Sequence, residues 1–321
     1  MKTTQRVLEL LTTTPSYLSG QEIADKLKLS RTAVWKAIKS LKEQGYEITS
    51  KPHVGYRYFE NDTLNKTAIL NALPADLELD LEIYATLPST NLKAKELSLT
   101  AKNSRPLVII ADQQTAGYGR YQRPFVSPKD TGIYLSILLN NDQTDFDPGL
   151  LTTATAVCVT RTLKKLLNVE PTIKWVNDVL VDGKKVCGIL TEGITDLETQ
   201  ALKQIIVGTG INFLTPLEAF SSELLERVGT LKEYVTQQKI TRNQFIAEYL
   251  TQFFSLYQNY TDASFMVEYR EASELIGKNF TLKRFNGQVE AKVLTIDDHG
   301  ALVLDNGQTF NSGEVIKVRK A

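Results

Sequence analysis

The chain has 321 residues, 42% hydrophobic and 23% charged, a length for two or three domains and a composition that excludes a disordered polymer. Its 37 Lys and Arg balance 37 Asp and Glu, yet residues 1–59 hold ten basic and five acidic side chains, so the remainder carries the opposite excess. A basic N-terminal module on an acidic body points to a polyanion partner for that module alone.

In the first sixty residues, Val7, Leu8, Leu10 and Leu11 recur at helical spacing. Ser19 followed by Glu22 fits a capping box that opens a second helix bearing Ile23, Ala24 and Leu27. Ser30 is placed to cap a third helix from Arg31, whose Val34, Ala37, Ile38 and Leu41 form an inward stripe. Two strand-like pieces, YEITS and GYRYF, follow around KPHVG. The pattern is a helix-turn-helix with a β-wing. The competing reading is a small helical bundle with solvated lysines, but the short KLKLS connection, basic third helix and basic wing favour DNA. Arg31, Thr32 and Lys36 are then candidates for base edges, and Lys39, Lys51 and Arg57 for phosphates. One such module reads few base pairs, so a regulator of this kind is expected to act as a dimer.

Further along, LELDLEIYATLPSTN predicts a strand entering a polar turn at Ser89, Thr90 and Asn91 before a helix. Such a turn is by itself a common helix cap. PLVIIAD is a buried strand feeding the loop QTAGYGRYQRPF, and GIYLSILL is another strand. TTATAVCVTRTLKKLLNV reads as a helix, and TIKWVNDVLVDGKKVCGILTEG as strands around Lys174, Asn177-Asp178 and an Asp182-Gly183 hairpin turn. QIIVGTGINF is a strand interrupted by Gly208 and Gly210, which suggests close approach by another group. Helical pattern continues through LLERVGTLKEYV and NQFIAEYLTQFFSLYQNY. From Gly277, short strands separated by Asn286-Gly287, His299-Gly300 and Asn306-Gly307 predict a small β-barrel.

Cys158 and Cys187 lie among apolar neighbours and read as buried free thiols, which implies a reducing compartment. His53 and His299 are too far apart to suggest a metal centre, and no catalytic triad can be assembled around them. There is no apolar run of membrane-spanning length, and MKTTQRVLELL lacks a cleavable signal pattern. A cytoplasmic protein is expected.

The loop at 114–125 has paired glycines and two arginines but neither a third fingerprint glycine nor a GKS or GKT. Gly117 and Gly119 allow backbone N–H groups near an anion, while Arg120 and Arg123 supply delocalised charge. Lys174 ends an apolar strand, where a lysine suits a carboxylate or phosphate better than open solvent. These features suit chemistry by positioning and charge neutralisation. They leave open an anion-using enzyme, a ligand-sensing domain and a structural body.

PSTN at 88–91, ADQQTAGYGRYQRPFVSP at 111–128, KWVND at 174–178, KVCGIL at 185–190 and GTGINF at 208–213 occur in order. Together they resemble the motifs of biotin–protein ligases. With the N-terminal module and C-terminal β-segment, the resemblance is to the bifunctional class that joins ligase and biotin-operon repressor, and it spans essentially the whole chain. It implies an α+β multidomain protein: a winged helix-turn-helix over 1–63, an α/β catalytic domain with a mixed sheet over 64–271, and an SH3-like small β-barrel over 272–321.

The resemblance further implies that ATP and biotin are substrates. Biotin carboxylate would attack the α-phosphate to give biotinyl-5′-AMP, with Mg²⁺ offsetting phosphate charge and no protein ligand assigned to the metal. Biotin would then pass to a lysine of the biotin carboxyl carrier domain of acetyl-CoA carboxylase or another biotin-dependent carboxylase. Ser89, Thr90, Asn91, Gln114, Tyr118, Gly119, Arg120 and Lys174 would bind biotin, with Lys174 and Arg120 catalytic. Gly117, Arg123, Asn177, Gly208, Gly210 and Asn212 would lie on the adenylate side. Biotinyl-5′-AMP would also act as corepressor, favouring a homodimer on operator DNA; no membrane partner is implied. The loop departs from the family's usual GRGRxGR at Tyr118, Phe125 stands where tryptophan is common, and Val176 replaces the proline of KWPND. A biotin-sensing transcription factor with weakened or lost ligase activity, and a lipoate or octanoate transferase, are the competing readings.

Overall fold

The computed structural model describes residues 3–59, 61–99, 105–141, 146–195, 201–284, 287–311 and 314–319. Two compact units divide the chain: Met1–Ala72 with Thr241–Gln244, and Leu73–Ile240 with Phe245–Ala321.

The first unit contains α1 (Thr3–Thr12), α2 (Gly20–Leu27), α3 (Arg31–Glu43), β1 (Glu47–Lys51), β2 (Gly55–Phe59) and α4 (Lys66–Ala72). Ser19 and Glu22 form the expected reciprocal capping box, and the Ser30 hydroxyl accepts from Ala33 N–H. Val7, Leu8 and Leu11 meet Ile23 and the stripe Val34, Ala37, Ile38 and Leu41 in one buried core, completed by Ile48 and Tyr58 from the wing. The wing is stitched to the helices by reciprocal backbone bonds between Leu18 and Tyr56 (2.9 and 2.8 Å). That approach needs Gly55, where an added Cβ would lie 2.1 Å from the Leu18 carbonyl oxygen. Residues 241–244 join this unit through Arg242, whose buried guanidinium donates to Asp62 Oδ2 (2.8 Å) and the Asp62 carbonyl (2.7 Å). A buried charge is tolerable only when paired in this way.

The second unit holds a seven-stranded sheet in the order β3-β4-β5-β9-β8-β7-β6. Its strands are β3 (Asp80–Tyr84), β4 (Leu107–Ala111), β5 (Ile133–Asn140), β6 (Thr172–Lys174), β7 (Asp178–Val181), β8 (Lys184–Thr195) and β9 (Leu202–Ile211). β3 and β4 run parallel and the other neighbours antiparallel, so the sheet is mixed. The β7–β8 turn forms at Asp182 and Gly183, both with positive φ as a primed hairpin turn requires. Four helices complete this part of the fold: α5 (Thr90–Ser98), the long α6 (Pro148–Leu167), α7 (Ser222–Leu225) and α8 (Lys232–Gln238). α9 (Arg242–Tyr257) and α10 (Met266–Ala272) follow.

The expected helix through LLERVGTLKEYV is broken. Val228 instead pairs with Lys185 beside β8, and the Gly229 carbonyl accepts from Asn212 Nδ2 (2.9 Å). The chain must come close there, since a Cβ on Gly229 would lie 2.9 Å from Lys184 Cβ.

Beyond α10, β10 (Asn279–Arg284), β11 (Gly287–Ile296), β12 (Leu302–Leu304), β13 (Thr309–Phe310) and β14 (Glu314–Arg319) form an antiparallel sheet in the order β13-β12-β11-β10-β14. Of the expected Asn286-Gly287 turn, Asn286 lies outside the described residues. This sheet braces the turn after β6, because buried Trp175 donates from Nε1 to the Gly300 carbonyl (2.8 Å). Trp175→Phe strands that buried carbonyl and is expected to cost about 1–3 kcal/mol; urea unfolding of the full chain measures it.

Candidate active site and nucleic-acid interface

Ser89 sits at the N-cap of α5, yet its side chain makes no capping bond. The Ser-Thr-Asn turn instead turns its polar groups inward, with Ser89, Thr90 and Asn91 each at most 4% exposed. Thr90 donates from its backbone N–H (2.8 Å) and its hydroxyl (3.2 Å) to Gln114 Oε1, and Gln114 Nε2 donates to Ser127 Oγ (3.0 Å). From β5, the Ser136 hydroxyl donates to Asn91 Oδ1 (2.5 Å) and lies 2.7 Å from Thr90 Oγ1. Four of the biotin-side candidates are therefore brought together, with three joined in one buried polar row.

The two glycines of β9 make room for this row. A Cβ on Gly208 would fall 2.2 Å from Asn91 Oδ1, and one on Gly210 would fall 2.6 Å from the Phe125 ring. In this conformation the space at these glycines holds the protein's own side chains.

Above the row, residues 117–125 fold back on themselves. Phe125 N–H donates to the Gly117 carbonyl and Gly119 N–H to the Arg123 carbonyl, both at 2.8 Å. The Gly119 donor is thus already engaged rather than open to an anion. Tyr121 and Gln122 both adopt φ of +57°, and the Arg120 and Arg123 guanidinium groups flank the exposed Tyr121 ring at 5.4 and 6.0 Å. A cleft of about 740 Å³ runs past Leu92, Lys95, Gln114, Tyr118 and Phe125.

Arg120 reaches across to the KWVND turn, donating to Asn177 Oδ1 (3.2 Å), while Asn177 Nδ2 donates to the Ile189 carbonyl (2.8 Å). That turn contains a cis Trp175–Val176 peptide and carries half-buried Lys174 at the end of β6. Lys174 has Glu274 as a charged neighbour; burial pushes the Glu274 carboxyl above its ordinary value while Lys174 pulls it down. No hydrogen bond or ion pair engages the Lys174 amine among the described residues. Asn212 is buried, its Nδ2 spent on Gly229 and its Oδ1 without a donor. No cluster of three metal-ligating side chains occurs among the described residues.

Tyr118 points to a network that sequence reasoning missed. Its hydroxyl donates to Glu192 Oε2 (3.0 Å) and accepts from Lys95 Nζ (3.3 Å). Glu192 also accepts from Lys95 at Oε1 and Asn91 Nδ2 at Oε2, both at 2.8 Å. Burial raises the Glu192 carboxyl, but the bonds from Lys95 and Asn91 outweigh it and leave it below its ordinary value. The Tyr118 phenol is pushed up by burial and then by the Glu192 charge. Ser127, Ser136 and Glu192 gave no local signal, since one lies in a loop, one in a strand with apolar neighbours and one between Thr191 and Gly193 of β8. Both cysteines are buried and free, with burial pushing Cys158 up to about 12.

In the first unit, Arg31, Thr32, Lys36 and Lys39 lie on exposed faces of α3. Lys39 sits 5.7 Å from the ring of Trp35, a 54% exposed tryptophan beside the wing that was absent from the expected contacts. On the wing, Lys51 stands 4.9 Å over Tyr17, and Arg57 is half-buried against Phe59 at 4.6 Å.

Three family descriptions match successive stretches: an HTH domain over 3–57, the Biotin/lipoate A/B protein ligase family over 83–212, and a Biotin protein ligase C terminal domain over 275–318. A Bacillus spizizenii protein named bifunctional ligase/repressor BirA is 34% identical over 296 residues, 90% of this chain and 89% of that protein. The chain belongs to the bifunctional ligase/repressor family. Another member, from Bacillus subtilis strain 168, is 33% identical and covers 91% of this chain and 90% of its own. The fold likeness extends to a solved biotin protein ligase from Aquifex aeolicus in complex with biotin and ATP. It has a TM-score of 0.59 at 22% identity over 75% of this chain and 99% of that one. No helix of the described residues is long and apolar enough to cross a membrane.

For this ligase/repressor, Gly208→Ala is expected to displace the Asn91 carboxamide and cost about 1–3 kcal/mol. Gly119→Ala, where the nearest atom is 4.0 Å from the added carbon, is expected to stay within about 0.5 kcal/mol. Urea titrations of the two variants compare them directly.

Proposed function

We propose that the chain is an ATP-dependent biotin–protein ligase and a biotin-responsive DNA-binding repressor, working in the cytoplasm. The observation that carries the reading is the Arg120–Asn177 contact. It joins the Gly-Arg loop to the turn bearing Lys174, whose amine has no engaged partner among the described residues. In this reading both cations act where a carboxylate and a triphosphate must be held together against their repulsion.

In this reading the Thr90–Asn91–Gln114 row, with Ser89 beside it, receives the polar head of biotin, and Tyr118 and Gly119 close over it. A biotin carboxylate oxygen attacks the α-phosphorus, a C–O–P anhydride forms and pyrophosphate leaves. Lys174 and Arg120 neutralise the charge that develops on the phosphoryl oxygens. Gly117, Arg123, Asn177, Gly208 and Gly210 border the adenylate, and the donor-free Oδ1 of buried Asn212 suits an exocyclic amino group. Mg²⁺ would enter on the phosphates of ATP and offset their charge. A carrier-domain lysine then attacks the acyl carbon, AMP departs and an amide remains. Three modules, 1–63, 64–271 and 272–321, divide DNA binding, catalysis and bracing.

As repressor, the chain bound to biotinyl-5′-AMP would pair with a second copy and present two α3 helices to an operator. Arg31, Thr32 and Lys36 would meet base edges, and Lys39, Lys51 and Arg57 phosphates. The capped, exposed α3 supports the first set better than the stacked Arg57 supports the second.

The first test is biotin-dependent ATP–pyrophosphate exchange with Mg²⁺. Lys174→Ala is expected to lower the rate by roughly 10²–10³. Absence of exchange in folded wild-type protein that binds biotin would favour a sensor that has lost ligase chemistry. For the repressor, Lys39→Ala is expected to weaken operator binding and reduce the slope of log affinity against log salt by about 1.

A further inference from the structure

Glu192, on β8, uses both carboxylate oxygens: Oε1 for Lys95, Oε2 for Asn91 and Tyr118. Its side chain is 20% exposed. Asn91 is held from its other end by Ser136 (2.5 Å), so its carboxamide cannot turn without breaking one bond or the other. Ser136 continues to Thr90, Thr90 to Gln114, and Gln114 to Ser127, whose hydroxyl also donates to the Phe125 carbonyl (3.0 Å). The chain of bonds therefore leaves the Gly-Arg loop at Tyr118, runs under the site and returns at Phe125.

We propose that Glu192 is a positioning residue that latches the Gly117–Arg123 loop through Tyr118 and, by the same carboxylate, sets the Asn91 carboxamide in the biotin-facing row. Opening the loop breaks the Tyr118–Glu192 bond and releases one restraint on Asn91; seating a ligand on Asn91 favours the closed loop. A neutral phenol at position 118 suits this latch. Lys95 already supplies a cation that balances Glu192, and a guanidinium at 118 would set a second positive charge beside the Lys95 ammonium. Tyr118 thus matches Lys95 and Glu192. What the site binds rests on the ligase reading, whereas the latch is made by the chain's own side chains.

Tyr118→Phe, Glu192→Gln and the double variant test it by hydrogen–deuterium exchange of residues 115–125 without ligand. Each single variant is expected to speed exchange about 5–10-fold, and the double to exceed Tyr118→Phe by less than about 2-fold, because both act on the loop through the same Tyr118–Glu192 bond. In biotin-dependent pyrophosphate exchange, Glu192→Gln is expected to raise KM for biotin about 10-fold with kcat changed by less than about 3-fold. Tyr118→Phe is expected to release biotinyl-5′-AMP about 5–10-fold faster. Unchanged loop exchange in both single variants, or factors that multiply in the double, would overturn the latch. If wild-type protein shows no biotin-dependent pyrophosphate exchange, the ligase reading fails and the ligand-free measurement still decides the latch.

Discussion

Everything in the catalytic half depends on two absences of side chain in the middle of a sheet. β9 lies between β5 and β8, where a pleated surface ordinarily presents a side chain at every second position. At Gly208 and Gly210 it presents none, and Asn91 and Phe125 descend into the gaps. A strand loses stability by carrying glycine there. Here the loss is offset by what it admits: the first turn of α5 settles onto the sheet, and the Gly-Arg loop is pinned by the Phe125 ring edge-on to Tyr134.

That geometry explains how a site rich in polar groups survives burial. Ser136 would be costly in an otherwise apolar strand, but its hydroxyl donates to Asn91 Oδ1 and lies within hydrogen-bond distance of Thr90 Oγ1. Glu192 would be costly beside them, but three donors and the Lys95 charge satisfy it. Arg120 spends its contact on the Asn177 carboxamide, and Lys174 has the Glu274 carboxyl as a charged neighbour.

The DNA-binding unit follows a simpler logic. Its core is a continuous apolar cluster from three helices and the two wing strands, its α2 and α3 starts are capped by serines, and Lys51 stands over the Tyr17 ring while Lys39 lies between the Trp35 ring and the Glu43 carboxylate at 3.9 Å. A cation placed as Lys51 is keeps its charge for a polyanion, because an aromatic face attracts it without neutralising it.

The sequence by itself determined the elements whose signal is local. Serine caps at Ser19 and Ser30, the α3 stripe, the Asp182-Gly183 hairpin and the short C-terminal strands were all legible, because capping, periodicity and turn chemistry act within a few residues. Motif order also made the family legible. Tertiary structure alone decided what the side chains of those motifs do. Ser89 looked like a cap and makes no capping bond, because Thr90 and Asn91 are drawn inward towards Gln114 and Ser136. LLERVGTLKEYV looked helical, but Val228 and Gly229 are taken by the edge of β8 and by Asn212. Gly208 and Gly210 announced a close approach without naming what approaches, and Glu192 announced nothing. Each of these outcomes is set by partners dozens of residues away, and a polar group in a low-dielectric interior goes wherever its hydrogen bonds can be met.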